Sequence, residues 1–222
     1  MPKPTFFNLP DARRAPIVEE AIVEFSERSF SEASLSEIAR RTQIPKGSFY
    51  QYFEDKLDLY RWLLTEEAPR RKRVFLAARG LPTEFWALLE ATIERGMAFL
   101  VEHPRLARLT AAAADPSAIP EVRGLHKAIC DAGRDDLRTL LGRGIAEGAI
   151  RKRGVDVDVA TRLVGTIIGA GLTDVILDEL GAELHEVLAS HDLRKRLGPT
   201  RRARLAKQAI AFIRDGLAEE TR

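Results

Sequence analysis

Two short helices have to fit between Ser34 and Tyr52, and the residues separating them leave room only for a tight turn. Ser34-Leu35-Ser36-Glu37 reads as a capping box, in which the serine hydroxyl takes an orphan backbone N–H and the glutamate reaches back to the serine N–H. The helix it opens carries Leu35, Ile38 and Ala39 inward. It breaks near Thr42-Gln43, and Pro45 restarts a helix over 45–52 with its ring in the permissive first turn. Upstream, Val18, Ala21, Ile22 and Phe25 make one stripe of a helix, in which Pro16 predicts either a start near Arg14–Ala15 or a kink. Downstream, Asp55 caps a fourth helix with Leu57, Tyr60 and Leu64 inward, and Pro69 ends it.

Three short helices with a tight turn between the second and third suit a helix-turn-helix, whose second helix crosses the phosphate backbone while the third enters the major groove. The inserted helix needs a small polar leading edge, and Pro45-Lys46-Gly47-Ser48 supplies one. Phe49 and Phe53 point the opposite way, to a core with Phe25, Phe30, Leu35 and Ile38. Tyr50 and Tyr52 bring hydroxyls within reach of phosphate oxygens, and Gln51 matches an adenine edge. Tyr50 reads alternatively as a half-buried core residue, Ser34 as a helix cap alone, and Lys46 and Lys56 as solvated lysines. Residues 1–65 hold nine Lys/Arg against ten Asp/Glu, a balance of −1, so any positive charge must gather on one face.

The stretch Ile17–Leu64 resembles the DNA-binding domain of the tetracycline-repressor (TetR) family. The resemblance rests on Ile38-Ala39, Lys46-Gly47-Ser48-Phe49-Tyr50, Phe53 and Lys56. It implies a homodimer on a palindromic operator in double-stranded DNA. Ser34, Ser36, Arg40, Tyr50 and Lys56 would then hold phosphates. Pro45, Lys46, Gly47, Ser48 and Gln51 would face the groove, with Tyr52 at its edge. Ser29 and Gln43 stand where the family has glycine; a left-handed backbone there costs about 1 kcal/mol each. The family's second domain is a helical body that dimerises and often encloses an effector pocket.

The rest of the chain reads as helices near 83–102, 104–114, 119–147, 156–180 and 202–218, separated by Pro82, Pro104, Asp115-Pro116, Gly148–Gly154 and Gly198-Pro199. No segment alternates with period two, so the expected class is all-α: an arm at 1–9, a helix-turn-helix domain at 10–65, and a helical bundle at 66–222 for dimerisation and effector binding. Two narrow apolar stripes predict a four-helix dimer interface. They are Val159, Leu163, Ile167, Leu172, Val175 and Ile176, and then Ala206, Ile210, Ile213 and Leu217.

Candidates for an apolar effector pocket are Phe85, Trp86, Leu89, Met97, Leu100, Leu109, Leu125, His126, Ile129, Cys130 and Leu137. His126 and Cys130 share a helical face but lack a third ligand at metal spacing, so no metal, cofactor or catalytic residue is predicted. At 222 residues and 45% hydrophobic, the chain can build a substantial core. Its longest apolar run, Leu163–Leu172, falls short of a membrane span, and the lone Cys130 fits a cytoplasmic setting. The expected function is that of a repressor released by a small hydrophobic effector; the alternative is an activator, or a repressor that needs no ligand, on the same module.

Overall fold

The computed structural model describes residues 1–78 and 80–217, and of Lys46 the backbone only. Every regular element among them is helical, as the missing period-two alternation requires. In order they are α1 (Pro4–Phe7), α2 (Asp11–Glu27), α3 (Leu35–Thr42), α4 (Lys46–Tyr52), α5 (Lys56–Trp62), α6 (Ala68–Ala77) and α7 (Phe85–Glu102). There follow α8 (Pro104–Ala113), α9 (Pro120–Ala146), α10 (Val157–Thr166), α11 (Leu172–Leu180), α12 (Leu184–Ala189), α13 (His191–Arg196) and α14 (Pro199–Leu217). The expected end of the last helix at 218 lies outside the described residues.

The chain forms two compact units, Met1–Arg73 with His103–Ile129, and Val74–Glu102 with Cys130–Arg222. A single boundary near residue 65 is therefore too simple, because α8 returns to pack on α2. The first core gathers Ile17, Ala21, Ile22 and Phe25 of α2 with Ile38, Phe49, Phe53, Leu59, Tyr60, Leu63 and Leu64. Leu106, Leu109 and Ala113 of α8 close it. The Tyr60 hydroxyl donates to Leu109 O at 3.5 Å, and burial pushes its pKa up to about 12.

Three local expectations are corrected in this unit. Residues 1–9 are no loose arm: Phe6 is wholly buried, its ring 4.8 Å from Phe53 and 5.3 Å from Trp62. The first long helix starts at Asp11 rather than near Arg14, and it accommodates Pro16 because Ala12, whose carbonyl loses its donor, is exposed to solvent. Pro69 does not end its helix. A π-turn over Leu63–Glu67 widens the preceding coil, so the missing proline N–H is absorbed and the helix runs on into α6.

The second unit is a bundle in which α7 and α14 are the principal pair. Phe85, Leu89, Ile93 and Met97 of α7 meet Leu205, Ala206, Ile210 and Ile213 of α14, and Leu141, Val164, Leu172 and Ile176 complete the core. Gly144 is obligatory for that packing, since a Cβ there would lie 2.7 Å from the Phe85 ring. Arg202, almost buried, donates from Nη1 to Leu197 O at 2.9 Å and from Nε to Glu94 at 3.2 Å.

Part of the predicted dimer stripe is overturned here. Leu172, Ile176, Ala206, Ile210 and Ile213 point into the unit's own core. Val159, Leu163 and Val175 remain exposed, Ile167 and Leu217 are half-buried, and Phe212, absent from the prediction, is the most exposed large apolar side chain at 71%. A second π-turn, Ile167–Gly171, joins α10 to α11, making Val157–Leu180 one helix of 24 residues. By length and composition alone that helix could cross a membrane, yet its Ala160, Val164, Leu172, Ile176 and Leu180 sit in a protein core.

Gln43 is the one non-glycine residue with positive φ among those described, at φ 57° and ψ 33°. Ser29 escapes that conformation. Replacing Gln43 by glycine removes the Cβ clash, and Gln43→Gly should unfold at higher denaturant, by about 0.5–1 kcal/mol; Gln43→Val should lose at least as much. Chemical denaturation of the two variants checks the sign.

Candidate nucleic-acid interface

The geometry of the helix pair starts from a carboxylate. Glu24 shares the inward face of α2 with Ile17 and Ala21, and is only 1% exposed. One oxygen accepts the Ser34 N–H at 2.9 Å and the other accepts Arg41 Nη2 at 3.0 Å. Arg41 also reaches Glu37 at 3.1 Å and Glu20 at 3.6 Å. Glu24 thus grips α3 at its N-cap and again through its last turn. The predicted capping box does not form. Ser34 is the N-cap but its side chain accepts no bond from α3; its N–H is taken by Glu24, and Glu37 is taken by arginines.

The turn closes through Gln43, with Ile44 N–H donating to Ala39 O at 3.0 Å. Pro45 stands at the N-cap of α4, where Ser48 N–H donates to Pro45 O at 2.8 Å. Phe49 and Phe53 are buried to 1% exposure and fix the inner side of α4. Its outer side presents Pro45, Gly47, Tyr50 and Gln51, with Ser48 and Tyr52 half-buried at the margins. Tyr50 is 50% exposed, which rules out the core reading. The Lys46 side chain lies outside the described residues. A Cβ on Gly47 would meet no protein atom within 4 Å, so nothing inside the chain calls for glycine there.

The cations beside this surface are largely committed. Arg40 makes a two-pronged contact with Glu37 at 2.6 and 3.0 Å, and this bonding draws the Glu37 carboxyl down to about 2. Lys56, expected on phosphate, is engaged within its own unit. Its ammonium donates to Ser31 O at 3.1 Å and Ala33 O at 2.9 Å and lies over the Phe30 ring. It braces the α2–α3 loop, and its burial lowers its pKa against the pull of Glu24. Ser36 is exposed and Ser34 half-buried, both at the start of α3. Sequence reasoning missed Glu24 and Phe6. A carboxylate three residues after Ala21, on the buried stripe, was the available signal for the first.

The effector candidates are not assembled in one unit. Leu109, Leu125, His126 and Ile129 belong to the first; Phe85, Trp86, Leu89, Met97, Leu100, Cys130 and Leu137 belong to the second. Phe85, Trp86, Leu89, Met97 and Leu137 are core residues there, and Cys130 is exposed. A cleft of about 790 Å³ lies instead in the first unit, lined by Phe7, Arg14, Trp62, Glu67, Arg70 and Arg73 among others, and by no predicted effector residue. Among the described residues no group of three or more His, Cys, Asp or Glu could hold a metal ion.

A three-helix body that buries one side of a short helix and leaves its polar side free, with a tight turn before it, defines a helix-turn-helix DNA-binding protein. Residues 17–62 match the family described as bacterial regulatory proteins, tetR family. The whole chain resembles a TetR family transcriptional regulator from Chloroflexus aurantiacus J-10-FL at 27% identity and TM-score 0.69, covering 99% of this chain and 100% of that one. The fold also resembles FadR from Bacillus subtilis, solved with stearoyl-CoA (20% identity, TM-score 0.62, 82% of this chain and 96% of that). TylP, a TetR regulator from Streptomyces fradiae, is similar too (20%, TM-score 0.62, 94% and 88%). Residues 17–62 are thus a helix-turn-helix module of the tetR family, and the chain as a whole is similar to TetR-family transcriptional regulators.

Because Arg40 is held by Glu37 in the free protein, Glu37→Gln should raise affinity for any duplex by about two- to fivefold at low salt, read by fluorescence anisotropy. An unchanged affinity would mean that Arg40 meets no phosphate. The Glu37 pKa is depressed, so the pair is complete above the unfolded carboxylate's ordinary value of about 4.3 and is lost as pH falls through about 2. The advantage of the variant should therefore stay constant between pH 6 and 8.

Proposed function

We propose that the chain is a homodimeric repressor that grips a palindromic operator with two copies of α4 and leaves it when a largely hydrophobic small molecule binds. The observation that carries the reading is the two-sidedness of α4: phenylalanines behind, and Gly47, Ser48, Tyr50 and Gln51 in front. Gln51 and the backbone at Gly47 would meet base edges, with Pro45, Lys46 and Ser48 beside them and Tyr52 at the groove edge. Tyr50, Ser34, Ser36 and Arg40 would hold phosphates. Lys56 would add a phosphate through the hydrogen that its two carbonyl bonds leave over. The free space around Gly47 supports a close approach, because glycine is then spared for the partner rather than for the fold.

Dimerisation is supported by Val157–Leu180, which is strongly apolar although only 22% of its most apolar window is buried. Val159, Leu163 and Val175 on it are exposed, which water disfavours by about 25 cal/mol per Å² of apolar surface. A second copy of the same helix is the cover we propose. Two recognition helices about 34–36 Å apart would then match successive major grooves. For the effector we propose an acyl thioester, supported by the likeness to the stearoyl-CoA-bound FadR fold and by the apolar make-up of the second unit. Release requires that the ligand favour a conformation in which that spacing is lost.

Gel-shift titration on DNA upstream of the chain's own coding region should give a sequence-specific complex that Tyr50→Ala and Gln51→Ala each weaken by about tenfold or more. Leu163→Glu should sediment as a folded monomer and lose specific binding. Micromolar stearoyl-CoA should dissociate the wild-type complex. Specific binding that survives all four treatments would sink the proposal.

A further inference from the structure

Three carbonyls at the trailing end of α4 receive donors from outside the helix, and all the donors come from the segment before α2. Lys3 N–H donates to Tyr52 O at 2.8 Å, the Lys3 ammonium to Tyr50 O at 2.7 Å, and the Thr5 hydroxyl to Gln51 O. These are the acceptors that the last turn of an α-helix leaves without partners, and an ammonium there also meets the negative end of the helix dipole. Directly behind, Phe6 is wedged beside Tyr52, its ring 6.1 Å away, and against Phe53 and Trp62. Pro4 in the first turn of α1 stiffens the segment that presents these groups.

We propose that residues 3–6 act as a strap that sets the pose of the recognition helix, so that operator discrimination depends on residues that touch no base. The inference rests on the DNA-binding role of α4. A helix of seven residues is far too short to hold itself together, since isolated helices below about 12–15 residues are marginal. Its leading end is fixed by the turn at Gln43 and its inner side by Phe49 and Phe53. The strap fixes the remaining end, where Tyr50 and Gln51 leave for the groove. Loosening that end tilts Gln51 off a base edge while the contacts at the start of α3 persist. Specific binding falls; non-specific binding, which comes from phosphates, stays.

The test first selects an operator from random duplexes with the full-length wild-type chain, then measures operator and scrambled-duplex affinities across a salt series. Lys3 and Thr5 are exposed, so Lys3→Ala with Thr5→Val removes two bonds without opening the core. This double variant should melt with the wild type, lose about three- to tenfold on the operator and under about twofold on the scrambled duplex, and keep its salt slope. Phe6→Ala should widen the operator loss, and Phe6→Leu should restore most of it. Equal losses on both duplexes, no loss on the operator, or a salt slope reduced by about one, which would make Lys3 a phosphate ligand, each overturn the strap. A wild-type chain that retains no duplex overturns the DNA-binding reading and the strap together.

Discussion

The DNA-binding unit is organised around a buried anion. Glu24 is almost without solvent, and an ionised carboxylate in that position is tolerable only if its oxygens are fully engaged. Its partners are the N–H of Ser34, the N-cap of α3, and the guanidinium of Arg41 in the last turn of α3, so the desolvation cost of one side chain is offset by bonds that fix both ends of the neighbouring helix. Hydrophobic burial alone would let α3 rotate or slide over α2. The carboxylate, with directional acceptors a few ångströms apart, does not. Everything further along depends on that placement: α3 aims the turn, the turn at Gln43 accepts a left-handed backbone, and α4 leaves it with Phe49 inward and Tyr50 outward.

The same anion explains why the sequence misled at the start of α3. Ser34 and Glu37 have the spacing of a reciprocal cap, and locally that is the best bond each could make. A longer-range acceptor ten residues upstream takes the serine N–H, and two arginines one turn on take the glutamate. Capping patterns see only neighbours in the chain. The apolar periodicity fared better, because whether a stripe is buried depends on the sum of many contacts rather than on one competition: Phe25, Ile38, Phe49, Phe53 and Tyr60 are all inside, as their spacing requires. Phe6 was illegible for the opposite reason. A four-residue helix has no period, and only its partners, Phe53 and Trp62, reveal that the ring belongs to the core.

In the second unit periodicity located the helices to within a few residues but not what covers them. The α14 stripe of Ala206, Ile210 and Ile213 and the α10–α11 stripe of Val159, Leu163 and Val175 look alike in sequence. The first faces α7 of the same chain; the second faces out. An apolar stripe states that a cover is required, and cannot say whether that cover is the chain's own. The π-turns were unreadable too. Each arises where the backbone trades regular bonding for an altered register, beside Pro69 in one case and in the Gly169–Gly171 stretch in the other. The short α12 and α13, six residues each, fall below the length at which a stripe can be recognised.

The distribution of charge around α4 bears on how such a module reads DNA. A segment with a balance of −1 over residues 1–65 faces a polyanion, yet Arg40, Arg41 and Lys56 are already engaged with carboxylates and carbonyls of their own unit. A phosphate therefore competes with an existing partner rather than filling an empty site, and the gain per contact is the difference between two charged hydrogen bonds. That difference is small for any duplex. The Gln51 side chain, which the proposed function sets against a base edge, has no internal competitor, because it is presented to solvent. Internal pairing thus depresses the sequence-independent term more than the sequence-dependent one, and the ratio of the two, rather than the bare affinity, decides occupancy among the many competing sites of a genome.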